Sequence, residues 1–452
     1  MWDVVVVGGG SAGCALAGRL GARTLLLEAG PVVLSPDQRD VASLPTAGPY
    51  NWSYDAELRT GQPHVVPRGR GLGGSSAING ANWVWATPAD ADGWGPGFTW
   101  ADLRRCYRRA ESDAVHGTTG PVPVHRPSGA LLHPAATRFL DAAQRLGFPA
   151  EPDKNAGATA GAGPVPSNSV DGVRVNAAMA YRPVSVRGDA DVDRVLFDGS
   201  RACGVVLADG EVIEAGQVVL AAGAVGTPRL LLRSGIGPGR PRVDLPVGQG
   251  FSDHPAVFVP FVDDDPAPHP HAPGSQAALN LDAGADPAGD VEVLAFVRPF
   301  APGGPRHLMC ALQRPDSRGE LTADRIDYHY LRTEHDRRRL RHAIRTAAEL
   351  LRAGVGRRVE PGGDVLGNDR ALDGWIAAHL TTSVHLCGTA AIGRVVDAQL
   401  RVLGVEGLRV ADTSVLPTVP RRGPAATAVA IGERAAELLG AAHARPDAAS
   451  GS

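Results

Sequence analysis

The sequence predicts a mixed α/β fold of more than one domain, on three observations. The first thirty residues read as a β-α-β unit wound around a glycine turn. Strand-like and helix-like runs continue to the end of the chain, separated by Gly- and Pro-rich stretches. The chain has 452 residues, 43% of them hydrophobic, which at roughly 150 residues per domain gives about three domains' worth of sequence and a sizeable core.

Taken in order, residues 4–7 are an apolar β-branched run, 11–20 an Ala/Leu-rich helix, and 24–27 a second apolar strand ending at Glu28. Residues 31–98 are rich in Gly, Pro, Asn, Ser and Trp and are expected to be extended along a surface or ligand. Helices are expected over 100–111 and 133–146, where apolar residues recur at helical spacing. Residues 157–166 read as a turn-rich separator. Residues 205–210 and 211–216 suggest a β-hairpin, leading to the buried run 218–222 and a helix over 227–233. Residues 263–274, with three Asp and repeated Pro and His, read as an exposed loop in which His269 and His271 are solvated rather than metal-binding. Strands follow at 291–297 and 307–312. The Arg-rich stretch 334–353 reads as an amphipathic helix on the solvated surface. Residues 407–411 are apolar, 427–439 form an alanine-rich helix, and the chain from about 441 reads as a frayed tail.

Gly 57 and Pro 37 are high but aperiodic, which excludes a collagen-like chain, and the apolar content excludes wholesale disorder. The 45 basic and 48 acidic residues give a net charge of -3 with no long basic block, so nucleic acid is not an expected partner. Cys14, Cys106, Cys203, Cys310 and Cys387 are scattered, odd in number and never spaced C-x-x-C. That argues against a disulfide framework, a zinc site or a dithiol centre, and a reducing cytoplasm fits best. No metal site is expected. The apolar run 4–18 is glycine-studded and too short to span a bilayer, so no transmembrane segment or secretion signal is expected. Lys154 is the only lysine, a bias that genomic base composition accounts for.

The segment Gly8-Gly9-Gly10-Ser11-Ala12-Gly13 follows a strand and opens a helix. In that context the G-x-G-x-x-G spacing is meaningful: glycines at Gly8, Gly10 and Gly13 let the backbone approach a pyrophosphate, and the helix N-terminus at Ser11 offers unpaired N–H groups. Glu28 lies where an acidic side chain accepts hydrogen bonds from an adenosine ribose. The motif alone leaves NAD and FAD both open.

Two longer runs, residues 67–80 and 223–237, resemble the two signature motifs of the glucose-methanol-choline (GMC) oxidoreductases. The resemblance continues through Leu245-Pro246-Val247-Gly248 with Asp253-His254-Pro255, residues 314–319, His385-Leu386-Cys387-Gly388-Thr389, and residues 410–417. It covers nearly the whole chain. It implies a Rossmann-like FAD-binding domain with an interleaved antiparallel-sheet substrate domain. The FAD domain would take residues 1–100, 167–258 and 376–440, and the substrate domain 101–166 and 259–375. The implied activity is oxidation of a CH–OH group by hydride transfer to flavin N5. The implied flavin contacts are Gly73, Gly74, Ser76 and Asn79, with Arg70, Val192, Ala222, Gly223, Asp412, Thr413, Pro424 and Ala425 also on the cofactor. Some members bind flavin covalently through a histidine one residue before that asparagine; Ile78 stands there, so FAD is expected to be noncovalent.

His385 is similar in position to the family's catalytic histidine, and a neutral imidazole can accept the hydroxyl proton as the hydride leaves. Cys387, two residues on, reads as packing. The second active-site residue of the family, Asn or His, falls on Gly423, which has no side chain. Either His385 then acts alone or another group enters, and Arg422 is expected to be that group or to be solvated. Pro424 suits a helix N1 position, whose dipole would stabilise negative charge on reduced flavin. The segments at 385–389 and 422–427 look most like the mycofactocin-associated branch. That implies reoxidation of reduced mycofactocin, a secondary alcohol, with electrons passed to a respiratory or other acceptor and a position either in the cytoplasm or peripheral to the membrane. A small-alcohol or choline-type oxidase producing peroxide, and a non-catalytic FAD electron relay, stay open beside it.

Overall fold

Residues 1–157, 160–284 and 286–443 are described by the computed structural model. The β-branched N-terminal run forms the strand Trp2–Val7, paired in parallel with Thr24–Leu27 on one side and Val212–Leu220 on the other. Ser185–Arg187 extends this parallel set, and Leu408–Val410 pairs with the end of Val212–Leu220. Val4, Val5, Val6 and Val7 are all buried, as a parallel strand covered on both faces requires. Val212–Leu220 changes partner along its length: its first residues pair antiparallel with Arg201–Leu207, and its last pair in parallel with Trp2–Val7. The expected hairpin is therefore present, with Val192–Asp198 added on its outer edge.

Val7, Leu220 and Val410 lie side by side at the carboxyl ends of their strands. Each chain runs on into a turn and helix, Ser11–Leu20, Gly223–Arg233 and Thr413–Val415. This is the edge at which open α/β sheets bind ligands. Two glycines set the packing. A Cβ on Gly13 would stand 2.0 Å from the Gly8 carbonyl oxygen, and one on Gly432 would stand 2.3 Å from the Ala12 oxygen. Only bare backbone lets Ser11–Leu20 lie on its own turn with Ala425–His443 across it.

A second sheet is antiparallel throughout, in the order Gly161–Pro164, Ser275–Leu281, Val291–Phe296, Arg306–Leu312, Pro255–Val262, with Arg357–Arg358 and Thr381–Thr382 on the last strand. Thr381–Thr382 thus joins this sheet from inside the stretch 376–440. Side chains alternate by the period of two. Leu279, Val293, Leu308 and Cys310 enter an apolar core with residues of the helices Pro134–Arg145 and Glu334–Leu350. Ala278, Asn280, Glu292, Leu294 and Met309 point the other way, to a cavity. A third sheet holds Asn51–Arg59, Gln62–Gly69, Gln249–Phe251, Gly319–Leu321 and Ile326–Asp327.

The structure corrects several expectations. Residues 31–98 contain the long hairpin Asn51–Arg59 and Gln62–Gly69, whose alternation of Trp52, Tyr54, Ala56 and Leu58 with polar residues is a strand pattern hidden by the surrounding glycines. Within 157–166, Gly161–Pro164 is an edge strand; a Cβ on Gly163 would stand 1.7 Å from the Glu151 oxygen, so glycine there gives room rather than a turn. Glu334–Leu350 is not a solvated surface element. Arg339 and Arg341 are buried, because Asp336 and Asp290 neutralise the first and Glu334 and Asp373 the second, freeing Leu340, Ile344 and Ala347 to pack on the sheet. Ala425–His443 begins one residue after Pro424, whose carbonyl accepts from the Ala428 N–H at 2.8 Å, so Pro424 is the N-cap residue rather than N1. Of the tail from 441, residues 444–452 lie outside the described residues.

Candidate active site

A cavity of about 460 Å³ runs from the crevice of the parallel sheet to the inner face of the antiparallel one. At the first end, Gly8, Gly10, Ser11 and Glu28 line it. The helix Ser11–Leu20 starts at Gly10 with no side-chain cap, so its first N–H groups are available to an anion. Gly8 has φ +106, and a Cβ there would stand 2.6 Å from the Ala221 oxygen; one on Gly74 would stand 2.7 Å from the Gly10 Cα. These contacts press two glycine turns together into a backbone-only cradle. The Glu28 carboxylate accepts N–H groups of Gly9 at 2.9 Å, Gly30 at 2.8 Å and Gly71 at 2.9 Å, and Oε2, with one partner, keeps acceptor capacity for a hydroxyl.

Most of the other expected cofactor residues also border the cavity: Ser76, Asn79, Val192, Ala222, Gly223, Asp412, Thr413, Pro424 and Ala425. Some of them are committed within the protein. The Ser76 hydroxyl donates to the Gly73 oxygen at 2.6 Å and accepts from Ala177 N. Asp412 takes the Gly223 N–H at 2.9 Å, the Thr227 hydroxyl at 2.5 Å and the Ser414 N–H at 2.8 Å, which fastens the start of Gly223–Arg233 to the 412–415 turn. Gly13, Arg70 and Gly73 do not line the cavity. Gly13 packs on Gly8, Gly73 on Asn176, and Arg70 lies over Trp52 at 5.2 Å while donating to the Ala29 oxygen. The glycine cradle, the uncapped helix end and the acidic acceptor together suit a dinucleotide.

At the other end stands His385. Asp253 Oδ1 accepts the backbone N–H of both His254 and His385 at 2.7 Å, and Oδ2 accepts the Thr382 hydroxyl at 2.8 Å. Arg68 donates to the Val384 carbonyl, and Val384 holds φ 63, a left-handed conformation that a β-branched residue keeps only under constraint. The His385 ring is therefore aimed by several fixed bonds. Its Nδ1 lies 3.0 Å from His254 Nδ1, ring against ring at 90°. Its other edge faces Gly423, where a Cβ would stand 3.5 Å from Cε1 and 3.6 Å from Nε2. Burial, then the neighbouring His254 and Arg68, hold the His385 pKa well below the usual imidazole range. Burial likewise takes His254 down to about 3.

Both rings are thus neutral, and their tautomers are coupled. Nε2 of His254 has no hydrogen-bond partner among the described residues. Of the two arrangements the contact between the rings allows, the one with the proton on His385 Nδ1 makes His254 Nδ1 the acceptor and leaves His385 Nε2 a bare lone pair at the cavity wall. His254 was not among the residues expected from sequence, although the Asp-His-Pro segment was visible there. Cys387 donates to the His385 carbonyl at 3.1 Å and is fully buried, and burial raises its thiol pKa.

Beside Gly423 lies a polar cluster of which sequence reasoning had named only Arg422 for the site. Lys154, Asn280, Glu292 and Arg422 all border the cavity. Arg422 is 1% exposed, which corrects the solvated alternative, and donates Nη2–H to Glu151 at 3.0 Å. Lys154 is bound to Glu151, the Gly161 oxygen at 2.8 Å and Asn280 Oδ1 at 2.9 Å.

A dinucleotide cradle at a parallel-sheet edge, continuous with a partly buried neutral histidine, defines a flavin- or nicotinamide-type oxidoreductase. The comparisons resolve which: profiles of the GMC oxidoreductases match residues 2–256 and 314–432. The chain belongs to the GMC oxidoreductase family, and is an FAD-dependent oxidoreductase. It is 37% identical over 497 residues to an uncharacterized GMC-type oxidoreductase of Rhodococcus erythropolis, covering 97% of this chain and 98% of that one. It is 30% identical to an oxygen-dependent choline dehydrogenase of Photobacterium profundum, covering 97% and 93%. Pyridoxine 4-oxidase from Mesorbium loti shares the fold with a TM-score of 0.90 at 30% identity, covering 98% and 99%. Among the described residues no helix is long and apolar enough to cross a membrane.

Proposed function

We propose that the protein oxidises an alcohol, with His385 Nε2 taking the hydroxyl proton. The observation that carries this reading is the His254–His385 contact at 3.0 Å, which engages Nδ1 and leaves Nε2 at the cavity wall as the proton acceptor when Nδ1 carries the hydrogen. Bound FAD would supply a hydride acceptor, so that the substrate would lose its hydroxyl proton to His385 and its carbinol hydride to the flavin and leave as a carbonyl compound. Asp253 and Arg68 hold the imidazole in place, and Gly423 leaves room for substrate against its Nε2 edge. The start of Ala425–His443 contributes N–H groups and a partial positive charge at the same wall.

In this reading Gly8, Gly10, Ser11 and Glu28 hold the adenosine diphosphate half of FAD. Gly74, Asn79, Val192, Ala222, Gly223, Thr413, Pro424 and Ala425 lie along its remainder. Gly13, Gly73, Ser76 and Asp412 shape these turns, and Arg70 supports them from behind Trp52. FAD is noncovalent, because Ile78 offers no nucleophile. The parallel sheet with its flanking segments 1–100, 167–258 and 376–440 is the cofactor domain, and 101–166 and 259–375 the substrate domain, with Thr381–Thr382 crossing between them.

The proposed donor is reduced mycofactocin, with a respiratory-type acceptor, on the resemblance of residues 385–389 and 422–427 to that branch. A second reading, oxidation of a small alcohol with oxygen as acceptor, is supported by the oxygen-dependent choline dehydrogenase and pyridoxine 4-oxidase relatives. Anaerobic addition of candidate alcohols to the holoenzyme, followed by reoxidation with air or an artificial dye, separates them. Bleaching by reduced mycofactocin with fast reoxidation only by dye supports the first reading. Stoichiometric peroxide from a small alcohol, at rates matching the dye, selects the second, and a flavin that no alcohol bleaches sinks both.

A further inference from the structure

Arg422 carries donors that the protein itself does not use. It is 1% exposed, yet its Nε and Nη1 have no hydrogen-bond partner among the described residues, only Nη2 reaching Glu151. Buried guanidinium groups with unsatisfied N–H groups are costly and rarely left so unless a ligand completes them. Arg422 borders the cavity and is the residue next to Gly423, whose absent side chain faces His385.

The charges around it are unequal. Glu151 is shared: one oxygen meets Arg422 and the other Lys154, the chain's single lysine, itself buried. Two cations therefore share one carboxylate. The other acid at this wall, Glu292, accepts from Asn280 at 2.9 Å, and burial pushes its carboxyl up toward the neutral form. Loss of solvation, then the Arg422 charge, pull Lys154 down to about 7. A negatively charged or carbonyl oxygen in the cavity relieves both Arg422 and Lys154, whereas a cationic group adds to the excess.

We propose that this end of the cavity is a substrate-recognition site in which Arg422 Nη1 donates to an oxygen acceptor of the substrate, carboxylate above carbonyl, so that the enzyme selects alcohols bearing such a group and rejects quaternary-ammonium alcohols. The inference rests on the reading that the alcohol is oxidised at His385 in the same cavity. It gives the site two anchors in one cavity, the hydroxyl at His385 Nε2 and the acceptor oxygen at Arg422, the residue next to Gly423.

The test uses the FAD-bound enzyme and two matched series. Propionate, propionamide and ethyltrimethylammonium are titrated against the oxidised flavin spectrum. 3-Hydroxypropionate, 3-hydroxypropanamide and choline are compared as anaerobic reductants. A hydrogen bond to a charged partner separates ligands by about 10- to 100-fold, so propionate should bind at least about 10-fold tighter than ethyltrimethylammonium, with propionamide between. Arg422→Gln should bring the three within about threefold, and Arg422→Lys should keep part of the preference. Equal or tighter binding of the ammonium ligand to the wild-type enzyme overturns the proposal, and so does an unchanged preference in Arg422→Gln. A shifted flavin spectrum in Arg422→Gln before any ligand is added, together with no ligand preference in the wild type, assigns these donors to the flavin and also overturns it. If Arg422→Gln fails to fold, the wild-type ranking decides alone. If no alcohol of either charge reduces the flavin while propionate still binds preferentially, the oxidation reading fails and the recognition site stands.

Discussion

Replacing His254 tests the coupled-tautomer account without touching the proton acceptor itself. His254→Leu removes the acceptor that stands 3.0 Å from His385 Nδ1, a fully buried ring against one that reaches the cavity. With no partner at Nδ1, the tautomer carrying its proton on Nε2, which is useless as a base, is no longer disfavoured. Leaving a buried donor unmade costs about 1–3 kcal/mol, and at 1.4 kcal/mol per factor of ten the limiting rate of flavin reduction falls about 5- to 150-fold. His254→Gln offers a carbonyl that can accept from Nδ1–H and should recover most of the rate. The assay is anaerobic stopped-flow bleaching of the flavin between about pH 5 and 9, on preparations matched for FAD content. A His254→Leu enzyme as fast as wild type at every pH, or a Gln variant as slow as the Leu variant, would refute the coupling.

Three other outcomes follow from the same geometry. Acid precipitation should release all FAD into solution, because Ile78 has no nucleophile; yellow colour kept in the pellet would contradict noncovalent binding. Gly13→Ala places a methyl 2.0 Å from the Gly8 oxygen and should abolish recovery of FAD-bound protein, while Gly374→Ala, in the helix Asp369–His379 with nothing within 4 Å, should fold normally and gain up to about 1 kcal/mol. Stability should also fall with acid: the folded pKa values of His254 and His385 lie below the unfolded value near 6.5, so below about pH 6.5 the unfolded chain takes up protons that the folded chain does not. The slope is up to about 1.4 kcal/mol per pH unit for each histidine. Urea midpoints at pH 7.5, 6 and 5 read it, and His254→Gln should flatten it.

The parallel core was legible because its signals are local. The strand at Trp2–Val7, the glycine turn, the helix Ser11–Leu20 and the strand Thr24–Leu27 each follow from periodicity over a few residues. Glu28, Gly8 and Gly10 could be placed at the cavity from spacing alone. Glycine misled where its purpose was clearance rather than turning, as at Gly163 against Glu151. Charge misled in Glu334–Leu350, where arginines that look solvated are buried by acids up to 49 positions away, Asp290 on Arg339 among them. The site shows the same division. His385 and the gap at Gly423 lie on short motifs. The His254 contact spans 131 positions and the Arg422–Glu151 contact 271, so neither leaves a periodic trace in the sequence.

The central claim is that His385 is the group that accepts the substrate proton. His385→Ala, loaded with FAD to the wild-type level and mixed anaerobically with an alcohol that bleaches the wild-type flavin, gives the most direct reading. General-base removal should slow bleaching by about 10²-fold or more, with the oxidised flavin spectrum and FAD content unchanged. Bleaching at the wild-type rate would contradict the claim and assign the proton to another group at the cavity wall.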